Sequence, residues 1–292
     1  MVERFIIPWP LVGLAACRPL GPRRRAPGAP DCPPFPADGG RSAPPPGVER
    51  PPDGKLDLWA PWRQQRSRPL PQQNPPFQRV SRAILDALAA FDTATLYESA
   101  GQKGMVHPSV RPAWPGARLC GPALTVQCPP RDNLMLHQAV TLAEPGDILV
   151  ASADGFLMAG AWGEILTVAA QARGVGGLVI DGATRDTEAI AQRAFPVFSR
   201  GLAIGACTKE RLGKLNEPLE FCGVRVRPGD VVVGDADGVV VIGLEEAEKV
   251  YEAALARQQR EKILMEQLLQ GKTTLELLGL PKPKHDTEEE RD

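Results

Sequence analysis

The sequence predicts an α/β domain built of βαβ units over residues 77–280, with a long helix near its C-terminal end. Three observations predict it. Residues 162–198 alternate helix, buried strand, loop, helix and strand, the pattern of parallel βαβ units. Two Pro-Gly-Asp turns, at 145–147 and 228–230, each launch a short apolar run of strand-forming residues. Residues 245–269 are charged, with Val250, Leu255, Ile263, Leu264 and Leu268 spaced for one narrow helical face.

The rest of the chain reads differently. Residues 1–76 hold 19 of the 31 prolines and 11 Lys/Arg against 6 Asp/Glu, without sustained apolar periodicity. Such a segment buries too little surface to offset chain entropy, so a disordered extension is expected there. Residues 281–292 are expected to form a charged, disordered tail. The apolar stretch 5–16 runs into Leu14-Ala15-Ala16-Cys17, which looks like a lipoprotein cleavage box. Two prolines interrupt it, however, and its leading residues are short and nearly neutral, which argues against an export signal. No run reaches the ~18 apolar residues of a membrane span, so no membrane role is expected. A formal charge of −1 excludes a basic nucleic-acid binder. The six cysteines include no Cys-x-x-Cys pair, so reduced thiols in a cytoplasmic protein are expected.

Taken in order, a helix is expected from near Val80, where Val80, Ile84, Leu85, Leu88 and Phe91 recur at helical spacing. Residues 123–128 form a short apolar strand between prolines, and 133–142 a helix. Residues 148–152 follow the first Pro-Gly-Asp turn as a strand. Residues 162–173 are expected to be helical with Ile165, Leu166, Val168 and Ala169 inward, stopped by Gly174, Gly176 and Gly177. Residues 177–181 are a buried strand, 187–193 a helix and 195–198 a strand. Residues 231–234 and 239–242 pair around Asp235-Ala236-Asp237-Gly238 as a hairpin.

Arg185 and Asp186 are the first candidates for chemistry, because they follow the carboxyl end of a buried strand, where α/β sheets bind ligands. Arginine holds a carboxylate through two parallel hydrogen bonds, and aspartate can ligate a hard divalent cation. The second candidate is Gly163-Glu164 at a helix start, where free backbone amides favour an anion. Glu164 alone would merely complement the helix dipole. One αβ unit, however, brings Glu164, the helix start, Arg185 and Asp186 to one end of the sheet. Other motifs fall away. Gly271-Lys272-Thr273-Thr274 lacks the earlier glycine of a phosphate loop, since position 266 is Glu266. Lys103, Lys209, Lys214 and Lys249 sit in polar contexts unsuited to Schiff-base chemistry. His107 and His137 have no partner at ligand spacing, and Cys120 and Cys128 read as small core residues.

Glu164, twenty residues, then Arg185-Asp186 resembles the acidic-x20-Arg-Asp signature of the 4-hydroxy-4-methyl-2-oxoglutarate aldolase / RraA-like family. The segments around 107–112, 121–126, 132–137, 195–198 and 228–238 look like that family too, so the resemblance spans about 77–280. It implies a layered βαβ sandwich of the swivelling β/β/α type, assembled as homotrimers or homohexamers with the site between subunits. It also implies a class II aldolase that uses Mg²⁺ or Mn²⁺ to release pyruvate from 4-hydroxy-2-oxo diacids, with oxaloacetate decarboxylase side activity. In that pattern Asp186 is the direct metal ligand and Arg185 binds the 2-oxo acid. Gly163, Glu164, Ile165 and Leu166 supply backbone donors to the substrate, and Glu164 meets the metal through water. Glu261, on the long helix, resembles the acidic residue delivered by the adjacent subunit. Position 164 is Glu where the family's aldolases carry Asp, which bears on rate and substrate preference. Some relatives instead bind and restrain a ribonuclease, which gives the alternative of a non-catalytic regulator.

Overall fold

The computed structural model describes residues 77–281. The expectations for residues 1–76 and for the tail beyond 281 lie outside the described residues.

Ser81 opens α1 (Arg82–Leu88), its hydroxyl accepting the Ile84 amide. Asp92 opens α2 (Thr93–Ser99) by accepting the Thr95 amide at 2.7 Å. The chain continues through β1 (Arg111–Pro112), β2 (Leu119–Gln127), α3 (Leu134–Leu142), β3 (Ile148–Ser152), β4 (Gly160–Trp162) and α4 (Glu164–Gln171). Next come β5 (Gly177–Thr184), α5 (Thr187–Gln192), β6 (Val197–Leu202), β7 (Lys214–Leu215), and the hairpin β8 (Leu219–Phe221) and β9 (Val224–Val226). A second hairpin, β10 (Val231–Gly234) and β11 (Val239–Ile242), leads through a 3₁₀ turn into α6 (Ala247–Leu269) and α7 (Thr274–Leu277).

The main sheet runs β1-β6-β5-β3-β2-β10-β11. Its centre, β2, β3, β5 and β6, is parallel, and β1, β10 and β11 are antiparallel to their neighbours. The sheet nearly closes on itself. Met105 bridges Val240, and Arg111 Nη1 donates to the Asp237 carbonyl in the β10–β11 turn at 2.7 Å. Alternation along each strand then serves two cores. Leu124, Val126, Leu149, Leu178 and Ile180 face α3, α4 and α5. Ile148, Val150, Val179, Phe198 and Val232 fill the inside of the curl with Phe221 and Val226. A third cluster joins Val231, Val233, Val240 and Ile242 to α1, α2 and α6.

Each Asp-bearing turn is anchored by its carboxylate. Buried Asp147 accepts Arg79 Nε and Nη2 at 2.8 and 2.9 Å and the Glu144 amide at 2.9 Å. Asp230 accepts the Arg227 and Leu244 amides, and Asp235 accepts the Thr93 amide and hydroxyl at 2.8 and 2.7 Å.

Two expectations need correction. The helix expected over 162–173 is α4, and Trp162 belongs instead to β4, which pairs with β5. Its inward residues are Leu166, Thr167 and Ala170, whereas Ile165, Val168 and Ala169 lie at the surface. Thr167 can be buried because its hydroxyl accepts from the Trp162 indole and donates to the Gly163 carbonyl. The long helix also buries less than its stripe suggested. Ala247, Val250 and Ala254 are covered, but Leu255 and Ile263 are exposed. Among the described residues no helix is long and apolar enough to cross a membrane.

Candidate active site

The parallel strands deliver their carboxyl ends to one side, and the strand that matters most is β5. The Thr184 hydroxyl and the Arg185 amide both donate to the Trp162 carbonyl, at 3.1 and 2.9 Å. Trp162 is fully buried and stacks on Phe195, with ring centroids 5.9 Å apart. The end of β4, and hence the start of α4, is therefore fixed against the end of β5.

Arg185 and Asp186 meet the α4 start directly. Asp186 Oδ2 accepts the Glu164 amide at 3.1 Å and lies 3.5 Å from Arg185 Nε. Gly163 makes room for this. A Cβ there would be 3.1 Å from Arg185 Nε and would overlap Asp186 Oδ2. Its φ of −158° is ordinary extended backbone, so the demand for glycine is one of space alone. Gly160 has a similar role, since a Cβ there would stand 2.8 Å from Arg185 Cβ. Asp186 itself sits at φ 57°, in the left-handed region, and makes no cap bond to α5. Backbone held in that region by a non-glycine residue is concentrated at functional sites.

Arg185 and Asp186, each about two-fifths exposed, line a cleft of about 710 Å³ with Met158, Leu202 and Ile204. Of the residues expected to supply amides, Leu166 buries its side chain in the core and Ile165 exposes its own, so each offers only backbone here. The N–H groups of a helix's first turn have no intrahelical acceptor. The first of them, the Glu164 amide, is taken by Asp186.

Glu164 is placed otherwise. Its Oε1 takes Arg193 Nε and Nη2 at 3.0 and 2.7 Å, so its carboxylate is held by the residue that closes α5. Glu261 pairs with Arg257 on α6 at 2.7 Å, and Arg257 also meets Glu98 of α2. Gly163, Glu164, Arg185 and Asp186 thus meet through backbone and side chain, while Glu261 belongs to a different cluster. Among the described residues no three His, Cys, Asp or Glu side chains are grouped to hold a metal ion. Among the described residues Asp186 is the carboxylate that lines the cleft.

Sequence reasoning missed a second hydrogen-bonded cluster, centred on Asp132. Asp132 accepts the Leu134, Glu210 and Arg211 amides and the Thr208 hydroxyl, at 3.0, 2.8, 3.2 and 2.6 Å. Burial would raise its pKa, but these bonds outweigh burial and hold it below the ordinary carboxylate value. Asn133 Nδ2 donates to the Ala161 carbonyl at 2.8 Å, tying this cluster to β4. The Asp-Asn pair before a helical run was the available signal. Arg193, the partner of Glu164, carried none. Burial pushes the Cys120 and Cys128 thiols up, to about 11 and about 12; Cys128 is a core residue, whereas Cys120 is only partly buried. Burial also lowers the pKa of His137, with Lys209 adding to the effect.

Comparison with known proteins identifies the family. Residues 83–241 match the RraA-like family, Aldolase/RraA. A Halalkalibacterium halodurans protein named "Putative 4-hydroxy-4-methyl-2-oxoglutarate aldolase" is 37% identical over 182 residues, 61% of this chain and 87% of its own. A crystal structure from Pseudomonas syringae pv. tomato is 31% identical with a TM-score of 0.61, covering 68% of this chain and 97% of its own. Streptomyces coelicolor RraAS2, described as an unusual member of the RNase ES inhibitor RraA protein family, is 26% identical with a TM-score of 0.59 over 65% of this chain and 99% of its own. On the breadth of the family match and the coverage of these relatives, the chain belongs to the RraA-like family.

Proposed function

We propose that this protein is a divalent-metal-dependent aldolase that cleaves 4-hydroxy-2-oxo diacids such as 4-hydroxy-4-methyl-2-oxoglutarate, releasing pyruvate, with oxaloacetate decarboxylation as a side activity. The observation that carries the reading is the left-handed Asp186, whose carboxylate bypasses its own helix and meets the Glu164 amide beside Arg185. The Asp186 carboxylate thus closes the first amide of α4 from outside its own helix and stands at the cleft beside Arg185.

The donor set fits a magnesium or manganese ion. Such ions accept one or two carboxylates and fill their remaining positions with water and substrate oxygens. Asp186 supplies one such carboxylate, and among the described residues its Oδ1 makes no hydrogen bond. Bound there, the cation would supply positive charge next to the substrate's keto oxygen.

The chain's own groups account for the rest. Arg185 binds the C1 carboxylate, and the amides of Ile165 and Leu166 turn fixed dipoles toward the same end. Breaking the C3–C4 bond moves its electron pair into an enolate of pyruvate, while the C4 hydroxyl gives up its proton and becomes a carbonyl. A water held by Glu164, or by Glu261 from an adjacent subunit of a trimer or hexamer, takes that proton and returns one to C3. Glu164 takes this part only by exchanging Arg193 for water. Loss of carbon dioxide from oxaloacetate leaves the same enolate, so the two reactions share these groups.

The test is pyruvate release from 4-hydroxy-4-methyl-2-oxoglutarate with Mg²⁺ or Mn²⁺, before and after chelation. Chelation is expected to abolish activity, and Arg185→Ala to lower it by about 10²-fold or more. Activity that survives both overturns the proposal. Likeness to RraAS2 favours a second reading, a regulator that binds and inhibits a ribonuclease. Ribonuclease inhibition without pyruvate release would select it.

A further inference from the structure

We propose that Arg193 keeps Arg185 free for the substrate's carboxylate, by holding the Glu164 side chain away from it. The inference rests on the pyruvate-releasing reading above and deepens it. Arg193 is a positioning residue that acts through Glu164.

Glu164 is the first residue of α4 and is held at two points. Its amide donates to Asp186 Oδ2 at 3.1 Å, at the head of α5. Its Oε1 accepts Arg193 Nε and Nη2 at 3.0 and 2.7 Å, at the other end of α5. Arg193 is itself anchored. Its amide donates to the Ala189 carbonyl at 3.2 Å, and its carbonyl accepts Nε2 of Gln171, the last residue of α4, at 2.9 Å. Two residues on, Phe195 is buried and stacks on Trp162, whose carbonyl fixes Thr184 and Arg185. The guanidinium therefore starts from a fixed backbone and draws the Glu164 carboxylate toward the end of α5. Thr184, Arg185, Asp186 and Thr187 line the cleft, and Glu164 is not among its lining residues.

Without Arg193 that carboxylate has a second cation within reach. The Glu164 amide nitrogen and Arg185 Nε approach the same oxygen, Asp186 Oδ2, at 3.1 and 3.5 Å. A glutamate side chain rooted there reaches Arg185 by rotation among its own staggered conformers. Among the described residues Asp186 is the one ion-pair partner of Arg185, so the guanidinium can take another anion. A tethered anion competes at an effective concentration on the order of millimolar. Enzyme substrates have KM values of roughly 1 μM to 1 mM, so the tethered group is a serious rival. A freed Glu164 would occupy the place of the substrate's carboxylate, and Arg193 removes this competitor.

The experiment measures pyruvate binding by calorimetry with Mg²⁺. It compares the unaltered protein, Arg193→Gln, Arg193→Lys, and Arg193→Gln combined with Glu164→Gln. Arg193→Gln should weaken pyruvate about tenfold, the factor for a site left free in about one molecule in ten. Arg193→Lys keeps the charge and should recover part of the loss. The double variant should bind like the unaltered protein, because its residue 164 carries no charge to compete for Arg185. A role confined to the fold predicts no such recovery. The Glu164–Arg193 pair is about two-fifths exposed, and exposed pairs contribute little to stability, so melting temperatures should stay within about 4 °C. Undiminished binding by Arg193→Gln, or a double variant as weak as the single one, overturns the proposal.

Kinetics separate this role from the aldolase assignment. On 4-hydroxy-4-methyl-2-oxoglutarate, Arg193→Gln should raise KM by the same factor with kcat unchanged, since saturating substrate displaces the competitor. A lower kcat at unchanged KM overturns the proposal. If the binding pattern holds while no variant releases pyruvate, Arg193 keeps its role and only the aldolase assignment fails. If the unaltered protein binds no pyruvate, both fall.

Discussion

Asp186 occupies a left-handed backbone position at the head of α5, and its carboxylate bonds to the first amide of α4 instead of its own helix. Asparagine tolerates the same backbone and can accept the same amide. Asp186→Asn should therefore keep the melting temperature nearly unchanged while metal-dependent pyruvate release falls by about 10²-fold or more. A variant that kept full activity would remove Asp186 from the cation's shell. Gly163 tests the same junction sterically. A methyl group there must displace either Asp186 Oδ2 or Arg185. Shifts of about 1 Å at reacting groups cost roughly 10²-fold in rate, so Gly163→Ala should be nearly inactive yet destabilised by only about 1–3 kcal/mol, as overpacking usually is. Parallel activity assays and denaturant titrations would separate the two effects.

At the scale of elements, aspartates hold the turns that aim the strands. Arg79→Ala would leave Asp147 buried and deprived of its charged partner, so a loss of about 3–5 kcal/mol is expected from urea unfolding. Asp235 makes a pH prediction. Burial opposes its ionisation, but the Thr93, Asp237 and Gly238 amides and the Thr93 hydroxyl more than compensate, holding its folded pKa below the ordinary value. Its contribution is thus fully present above the unfolded pKa of about 3.9 and is lost as pH falls through the lower folded value. Stability should drop below about pH 4, and Asp235→Asn should flatten that part of the curve.

These turns were legible because Pro-Gly-Asp and Asp-x-x-Gly encode their geometry locally, and the βαβ order followed from them. The face of α4 was not. Pattern alone assigns Ile165 and Val168 inward, whereas a hydroxyl shared between Trp162 and Gly163 lets Thr167 take the core position. The near-closure of the sheet was also hidden, because Met105 meets Val240 across a separation in sequence that no local motif spans. At the site, Arg185, Asp186 and Gly163 were readable from one αβ unit. The Glu164–Arg193 pair joins two helices, and the Asp132-centred cluster joins two loops, at sequence separations that no local motif spans.

At the scale of the whole molecule, the described residues leave apolar side chains uncovered in two places. Met158, Ile165, Leu202 and Ile204 are 78%, 77%, 63% and 97% exposed, and three of them line the cleft. On α6, Ile263, Met265 and Leu269 are also uncovered. Contiguous apolar surface of this kind marks association sites, and closed homo-oligomers are the usual way to cover it. If a second copy covers the cleft and brings Glu261 to it, the site is shared, and that has a genetic signature. Asp186→Asn and Glu261→Gln should each be inactive alone. After the two variants are mixed and reassembled, a site that draws Asp186 from one copy and Glu261 from another is intact in about one case in four, by random pairing within a closed ring. Recovery of roughly that fraction of activity would establish a composite site. Failure to recover, with mixed oligomers demonstrated by mass spectrometry, would leave Glu261 to its pairing with Arg257 and return proton transfer to Glu164 alone.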